Sequence, residues 1–361
     1  MPRRVRPAQG DSLGAVTRAA DELGAHVSVA GGLALAPARG RELGCGAIQI
    51  FLKNQRQWAA PPLDPAVARA FRAARRRAGI RHAFAHGSYL VNLATPVPAA
   101  WRQAVDTFTD ELRRAEALGL GCLVVHPGSH MGAGREAGLD AVARAVDEAL
   151  ALTPRARVRV ALENTAGGGH ALGGTFEDLA GIIGRVRRAE RVGVCLDTCH
   201  LFVAGYDIRT PAGYAAAIER CARTVGLPRV LAFHLNDASA PLGSGLDRHE
   251  HIGRGRLGLR PFRLLLNDPR FARVPKVLET PKEPEPTADL RNLATLRRLR
   301  RSVNMGGPEM APHVLQAKGT TPPSDSPGHA LGAPRQRRGT PRSRRPPSTA
   351  TRLPRRDGRG R

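Results

Sequence analysis

Carboxylate and imidazole side chains recur along this chain at the ends of short apolar segments. Asp197 ends the apolar segment 192–196, and His200 follows three residues later. Both side chain types bind divalent metal ions, and α/β proteins place their chemistry at the ends of buried strands. A single pair is a weak signal, because an Asp at a strand end is more often the N-cap of a helix. The pair gains weight only if other strands bring ligands to the same place.

Six consecutive predicted strands end in or carry a His or a carboxylate, and the adjoining loops add three more such residues. In chain order the nine residues are His86, His126, Glu163, Asp197, His200, His234, Asp247, His249 and Glu279. At close range such groups would repel one another or stay unpaired unless cations lay among them. Nine exceed the three or four ligands of a single zinc ion. We therefore predict a cluster of two or three metal ions, a kind of centre typical of phosphoester hydrolysis.

The ligand types also limit the choice of metal. The sequence offers no sulfur ligand pattern, which favours Zn²⁺ or Mn²⁺ over an iron–sulfur centre. Cys195 and Cys199 flank Asp197, but we expect both to pack in the core rather than bind metal.

Eight apolar segments that we interpret as β-strands position these residues. They cover residues 25–29, 47–51, 83–86, 122–126, 158–163, 192–197, 230–235 and 276–279. Amphipathic segments lie between them, with helix signals such as Asp64-Pro65 at a start and Gly79 at an end. Nearly continuous apolar strands indicate a parallel sheet that is covered on its outside. Eight strand–helix units in about 280 residues predict an α/β fold, a (β/α)8 TIM barrel over residues 23–302.

The C-terminal segment differs in composition from the predicted barrel. Residues 303–361 contain 12 Lys and Arg against 3 Asp and Glu, with 10 Pro and 8 Gly. Such a segment cannot bury enough apolar surface to offset the entropy lost on ordering. We predict a disordered basic tail that either tethers the protein to DNA or contributes charge alone. Residues 1–22 form an N-terminal extension that we leave unassigned.

Charge and cysteine content bear on partners and compartment. The formal net charge of +25 favours a polyanionic partner such as nucleic acid, although a GC-rich genome would also enrich Arg. Five cysteines without a CxxC pair indicate a reducing compartment. No apolar segment approaches the ~18 residues of a membrane span. We therefore expect a cytoplasmic protein that does not bind membranes.

Nine motifs, in order along residues 24–300, resemble those of endonuclease IV. They are Gly24-Ala-His-Val-Ser28, Lys53-Asn-Gln-Arg-Gln-Trp58, His86-Gly-Ser-Tyr-Leu90, His126-Pro-Gly-Ser-His130, Leu162-Glu-Asn-Thr165, Leu196-Asp-Thr-Cys-His200, Phe233-His-Leu-Asn-Asp237, Asp247-Arg-His249 and Leu278-Glu-Thr280. The resemblance implies a three-zinc apurinic/apyrimidinic (AP) endonuclease of base excision repair. Such an enzyme hydrolyses the phosphodiester 5′ to the abasic site and leaves a 3′-hydroxyl and a 5′-deoxyribose phosphate.

The resemblance also implies a role for each residue. The first zinc would be held by His86, His126 and Glu163, and Glu163 would bridge to the second. The second would also take Asp197, His234 and Glu279, and the third would take His200, Asp247 and His249. Mn²⁺ is an alternative at one site. Glu163 and Glu279 would be catalytic, with Glu279 orienting or deprotonating the nucleophile.

The implied partner is double-stranded DNA with abasic or 3′-blocked sites. Gln55, Arg56, Tyr89 and Leu90 resemble the residues that penetrate the duplex. We expect a monomer that associates with the nucleoid of a bacterial cytoplasm through DNA.

Two alternatives stay open. A metal-dependent sugar isomerase or epimerase of the related TIM-barrel class would also place Glu, Asp and His at strand ends, but would have no use for the charge of +25. A DNA-binding module without enzymatic activity would need no ligands at the strand ends.

Overall fold

Eight parallel strands close into a barrel in the computed structural model, which describes residues 22–282, 284 and 287–300. The barrel strands are β1 (Leu23–His26), β2 (Ala47–Phe51), β3 (His82–His86), β4 (Cys122–Val125), β5 (Arg159–Glu163), β6 (Val192–Asp197), β7 (Val230–His234) and β10 (Lys276–Leu278). Around the barrel their order is β1-β10-β7-β6-β5-β4-β3-β2. A short antiparallel hairpin of β8 (Asp237–Ala238) and β9 (His249–Glu250) follows β7.

Helices cover the outside of the barrel, as the apolar strands predict. They are α1 (Ala36–Glu42), α2 (Pro65–Ala78), α3 (Pro98–Leu118), α4 (Arg135–Ala151), α5 (Phe176–Arg185), α6 (Thr198–Val203), α7 (Pro211–Thr224), α8 (Arg260–Leu266) and α9 (Thr287–Leu299). Single 3₁₀ turns occur at Leu33–Leu35, Ala189–Arg191, Leu227–Arg229 and Pro269–Phe271. Within the described part of the chain, no helix is long and apolar enough to cross a bilayer.

Local signals in the sequence explain where helices begin and end. The Asp64 carboxylate accepts a hydrogen bond from the Ala66 amide and caps α2, which ends at Gly79 with a φ of 71°. That left-handed conformation is readily adopted only by glycine. Thr175 caps α5 by accepting from the Asp178 amide. Each cap satisfies an amide that lacks a partner within the first helical turn.

The predicted TIM barrel is confirmed, while several boundaries differ. Strand β1 starts at Leu23 rather than at residue 25, because Leu23 to Ala25 pair with β10 and close the barrel. Gly24 permits the close approach of β2, since a Cβ there would lie 1.6 Å from the Ala47 carbonyl oxygen. The β8–β9 hairpin is an addition that the strand pattern does not predict. The predicted N-terminal extension, apart from Glu22, and the predicted tail at 303–361 lie outside the described residues.

The barrel interior consists of two layers, because side chains two residues apart on a strand point to the same side. The apolar lower layer contains Ala47, Phe84, Cys122, Val124, Ala161, Cys195, Ala232 and Val277. The polar upper layer has one residue per strand, in most cases two positions further on: His26, Gln49, His86, His126, Glu163, Asp197, His234 and Glu279. His126 and Glu279 each lie one residue beyond the end of their strand. The strand residues that alternate with these inward-facing ones, such as Ile48 and Leu162, point outward and pack in the core between the barrel and the helices.

Candidate metal centre

The upper layer brings together all nine residues proposed as ligands, with help from one helix and the β8–β9 hairpin. Three groups of His, Asp and Glu side chains have their candidate ligand atoms within 4.8 Å of one another, and a fourth combines Asp197, Cys199 and His249. The members are His86, His126 and Glu163 in the first group, Glu163, Asp197, His234 and Glu279 in the middle group, and His200, Asp247 and His249 in the third group. These groups match the division that the family resemblance implies.

The first group is built on β3, β4 and β5. The Nε2 atoms of His86 and His126 each lie 3.1 Å from Glu163 Oε2. His86 Nδ1 donates a hydrogen bond to the Gly87 carbonyl oxygen at 2.7 Å. That bond places the ring proton on Nδ1 and leaves the Nε2 lone pair directed at the centre of the group.

The middle group is fully enclosed at its base. His234 Nδ1 lies 2.8 Å from Glu163 Oε1, 3.0 Å from Glu279 Oε2 and 3.8 Å from Asp197 Oδ2. Glu163, Asp197 and His234 are completely buried. Glu163 thus offers one carboxylate oxygen to the first group and the other to the middle group, which is the arrangement of a bridging ligand.

The third group combines α6 with the β8–β9 hairpin. Asp247 Oδ2 lies 3.1 Å from His200 Nε2, and its Oδ1 lies 3.2 Å from His249 Nε2. The other nitrogen of each ring donates to a backbone carbonyl, His200 Nδ1 to Asn164 at 2.8 Å and His249 Nδ1 to Glu279 at 3.0 Å. Both histidines therefore carry a proton on Nδ1, so Nε2 is the nitrogen that can bind a metal ion.

The third group provides a test of whether these residues fit a cation. Among the described residues, the buried Nε2 atoms of His200 and His249 have no hydrogen-bond partner, although Asp247 is close to both. When both rings are neutral, their Nε2 lone pairs and the carboxylate oxygens cannot hydrogen-bond, and buried polar atoms without a partner are unfavourable. A cation between them satisfies all three side chains at once. The donor set is imidazole and carboxylate, so the centre can hold metal ions such as zinc.

The electrostatics of the site lead to the same conclusion. Burial acts to raise the pKa of Glu163, but His234 and His126 outweigh it and the pKa falls well below its ordinary value. Burial acts to lower the pKa of His249, but Asp197 and Asp247 raise it to about 9. Protons therefore compensate the buried carboxylates when no other cation does, and a bound metal ion would have to displace them.

Asp197 serves two purposes with its two oxygens. Oδ1 accepts a hydrogen bond from the His200 amide at 2.9 Å and caps α6, as the N-cap interpretation predicts. Oδ2 belongs to the middle group and accepts from Asn236 Nδ2 at 2.6 Å. The two interpretations of this residue, as helix cap and as ligand, are therefore compatible.

Sequence reasoning did not identify the residue that fixes the hairpin, Asp237. Its buried carboxylate accepts hydrogen bonds from the amides of Ala238, Gly253, Gly255 and Leu257, at 2.8 to 3.1 Å. A Cβ at residue 255 would lie 2.5 Å from Asp237 Oδ1, so glycine is required there. The sequence signal available was the Gly-rich segment after His251, whose amides need an acceptor.

The two cysteines beside Asp197 behave as packing residues. Cys199 lies within ligand distance of Asp197 and His249, but its thiol donates to the Arg248 carbonyl oxygen at 3.6 Å. Burial raises the pKa of the Cys199 thiol and raises that of Cys195 to about 12. A neutral thiol is a poor metal ligand, so the imidazole and carboxylate groups are the better donors.

The loops with the predicted DNA contacts stand beside the metal-binding groups. Gln55 and Arg56 follow β2, and Tyr89 and Leu90 follow β3. The Ser88 hydroxyl donates to the Gln55 carbonyl oxygen at 2.9 Å and joins the two loops. The Tyr89 side chain is 64% exposed, an unusual state for an aromatic residue. A cavity of about 430 Å³ lies between these loops and Glu279.

Comparisons with known proteins agree with this geometry. A family described as xylose isomerase-like TIM barrel matches residues 37–299. The probable endonuclease 4 of Chloroflexus aurantiacus is 48% identical over 276 residues, which cover 76% of this chain and 97% of the relative. The probable endonuclease 4 of Geobacter sulfurreducens is 47% identical over 279 residues, 77% of this chain and 94% of the relative.

Solved structures give the same result. The crystal structure of endonuclease IV from Thermus thermophilus matches this chain with a TM-score of 0.69 and a sequence identity of 39%. The match covers 77% of this chain and 98% of that chain. A D-tagatose 3-epimerase-like protein, 17% identical with a TM-score of 0.57, shares the fold alone. The chain belongs to the endonuclease IV family and is an enzyme of that type.

Proposed function

We propose that this enzyme hydrolyses the phosphodiester 5′ to AP sites in duplex DNA and leaves a 3′-hydroxyl and a 5′-deoxyribose phosphate. The observation that carries the proposal is the arrangement of three metal-binding groups at the mouth of the barrel, two of which share the Glu163 carboxylate. We assign one zinc ion to each group, with Mn²⁺ as an alternative at one of them. Clusters of metal ions a few Å apart suit phosphoester hydrolysis.

Zinc ions, when bound, would lower the pKa of a water molecule and stabilise charge on the attacking and leaving oxygens. The protein side chains would hold the three metal-binding groups at fixed distances from one another. Glu163 does this for the first and middle groups, because its two oxygens face different groups. Glu279 lies at the edge of the cavity with 13% of its side chain exposed, where its carboxylate can orient the attacking water and accept a proton.

We assign recognition of the lesion to the two joined loops. Arg56 is exposed and suited to a phosphate contact, while Tyr89 and Leu90 can enter the duplex beside an unstacked abasic site. The Ser88–Gln55 bond makes the loops act as one surface. Loss of a base removes stacking at the lesion, so inserting a side chain is easier there than in intact DNA.

The remaining assignments concern the whole chain. We propose that residues 23–302 form the catalytic domain and that the tail at 303–361 adds non-specific, salt-sensitive attraction to DNA. The protein would act as a monomer on bacterial chromosomal DNA in the cytoplasm, with 3′-blocked ends as further substrates.

The test is incision of a duplex that carries one abasic analogue, together with the metal content of the native protein. We expect about three zinc ions per chain, and incision that ends after prolonged chelation. The Asp197→Ala, Glu279→Ala double variant should be inactive, whereas Tyr89→Ala should keep its zinc and lose affinity for the lesion. Full activity in the double variant would contradict the metal mechanism. Fewer than two metals per chain, without incision, would favour the sugar isomerase or epimerase alternative.

A further inference from the structure

Two of the eight strands bring residues to the upper layer that no ligand assignment includes. These residues are His26 on β1 and Gln49 on β2, which are partners in the register of the two strands. Gln49 is completely buried. A buried amide beside ionised groups requires an explanation, because it must find partners for both its oxygen and its nitrogen.

Gln49 contacts two members of the middle group directly. Its Oε1 lies 2.8 Å from Nε2 of His234, the ring nitrogen that faces away from the three carboxylates. Its Nε2 donates a hydrogen bond to Glu279 Oε1 and lies 2.8 Å from His26 Nδ1. His26 Nδ1 is also 3.2 Å from the same carboxylate oxygen. One amide thus connects β1, β7 and the residue that follows β10.

The contacts determine which way the amide points. With oxygen and nitrogen exchanged, an amide oxygen would face the Glu279 carboxylate oxygen, and two acceptors would repel each other. In the observed orientation the amide oxygen can only accept, so His234 carries a proton on Nε2. Nδ1, where the three carboxylates meet, is then the nitrogen that can bind a cation.

We infer that Gln49 is a positioning residue for the middle metal ion, an inference that rests on the proposed zinc centre. It holds His234 in the tautomer that can bind metal. It also occupies Oε1 of Glu279 and leaves Oε2, 3.0 Å from His234 Nδ1, for the cation. Groups that fix ligating histidines and carboxylates in this way typically change metal affinity by about 10- to 100-fold when they are replaced.

Three variants separate positioning from packing. Gln49→Met keeps the length of the side chain and removes both hydrogen bonds. Gln49→Glu keeps an acceptor for His234 and removes the donor to Glu279. Ile50→Val, on the neighbouring residue that faces the helices, is the packing control. Each protein would be loaded with zinc and titrated with a competing chelator, and its unfolding would be measured without metal.

We expect Gln49→Met to hold one zinc per chain about 10- to 100-fold more weakly than wild type, with the other two retained. Gln49→Glu should keep that zinc better than Gln49→Met and show a reduced kcat with little change in KM. Ile50→Val should bind zinc as wild type does. Wild-type zinc affinity in Gln49→Met, or equal weakening in Ile50→Val, would overturn the inference. If wild type itself binds fewer than two zinc ions, the proposed function fails instead.

Discussion

The two layers of the barrel interior use the same strands and the same spacing for opposite purposes. In the lower layer, Phe84, Cys195 and Val277 are apolar and almost inaccessible. Two residues further along the same strands, His86, Asp197 and Glu279 are ionisable. The backbone is equivalent in both layers, so the difference lies in the side chains and in access to the barrel mouth. The lower layer excludes water from beneath the site, which strengthens every electrostatic interaction above it.

The largest effect on activity is expected when the upper layer loses the charge of Glu163, the carboxylate that the first and middle groups share. Glu163→Gln should reduce incision about a thousandfold or more, because the variant weakens two metal sites that together contribute several kcal/mol. Zinc content should fall in the first and middle groups and remain in the third. Elemental analysis and single-turnover incision would measure both. The control is Glu177→Gln, which removes an exposed carboxylate paired with Arg220 and should leave activity unchanged.

A smaller effect is expected when a carboxylate, the type of group found in the upper layer, is introduced into the lower layer. Cys195→Asp places a carboxylate two residues before Asp197, in an apolar layer where the nearby His234 already faces Glu163 and Glu279. The free energy of unfolding should fall by about 3 kcal/mol or more, as for other unpaired buried charges. Cys195→Ala, which loses only packing, should cost less. Denaturant titration would measure both, and equal stability of the two variants would contradict the division into layers.

The smallest effect concerns a buried charge outside both layers. Lys276 donates to the carbonyl oxygens of Phe271 and Val274, and burial lowers its pKa from 10.5 to about 8. Between these pH values the unfolded chain binds more protons than the folded one, so stability should rise with pH.

In Lys276→Met this rise should be absent, and its size in wild type should be of the order of 2 kcal/mol. Denaturant titrations at pH 7, 8 and 10 would measure the difference between the two chains. That difference should stay constant below pH 7. A constant difference up to pH 10 would show that Lys276 remains charged in the folded protein.

The barrel and most of the upper layer could be predicted from the sequence. Each of six strands brings a titratable residue at or near its end, and such residues stand out against apolar segments. Gln49 and His26 could not be predicted in this way. Gln49 lies between Ile48 and Ile50 inside an apolar strand. From the sequence alone, such an amide only breaks the apolar pattern, and its partners become visible once the strand register is known.

The β8–β9 hairpin was missed for a different reason. Strands of two residues are too short to show an alternating pattern, and their position depends on the Asp237 carboxylate rather than on local preference. Contacts of this kind join residues up to 20 positions apart. No periodic signal in the sequence reports them.

The double use of Asp197 has a consequence for how the enzyme responds to scarce metal. One oxygen belongs to the middle group and the other holds the first turn of α6, which presents His200 to the third group. Emptying the middle site would free Asp197 to move and would loosen the turn that carries His200. The third site keeps its own three ligands, so it would still bind zinc, but less tightly than when the middle site is filled. In a zinc-starved cell, loss of the middle ion would therefore narrow the range of free zinc concentration over which the third site resists depletion.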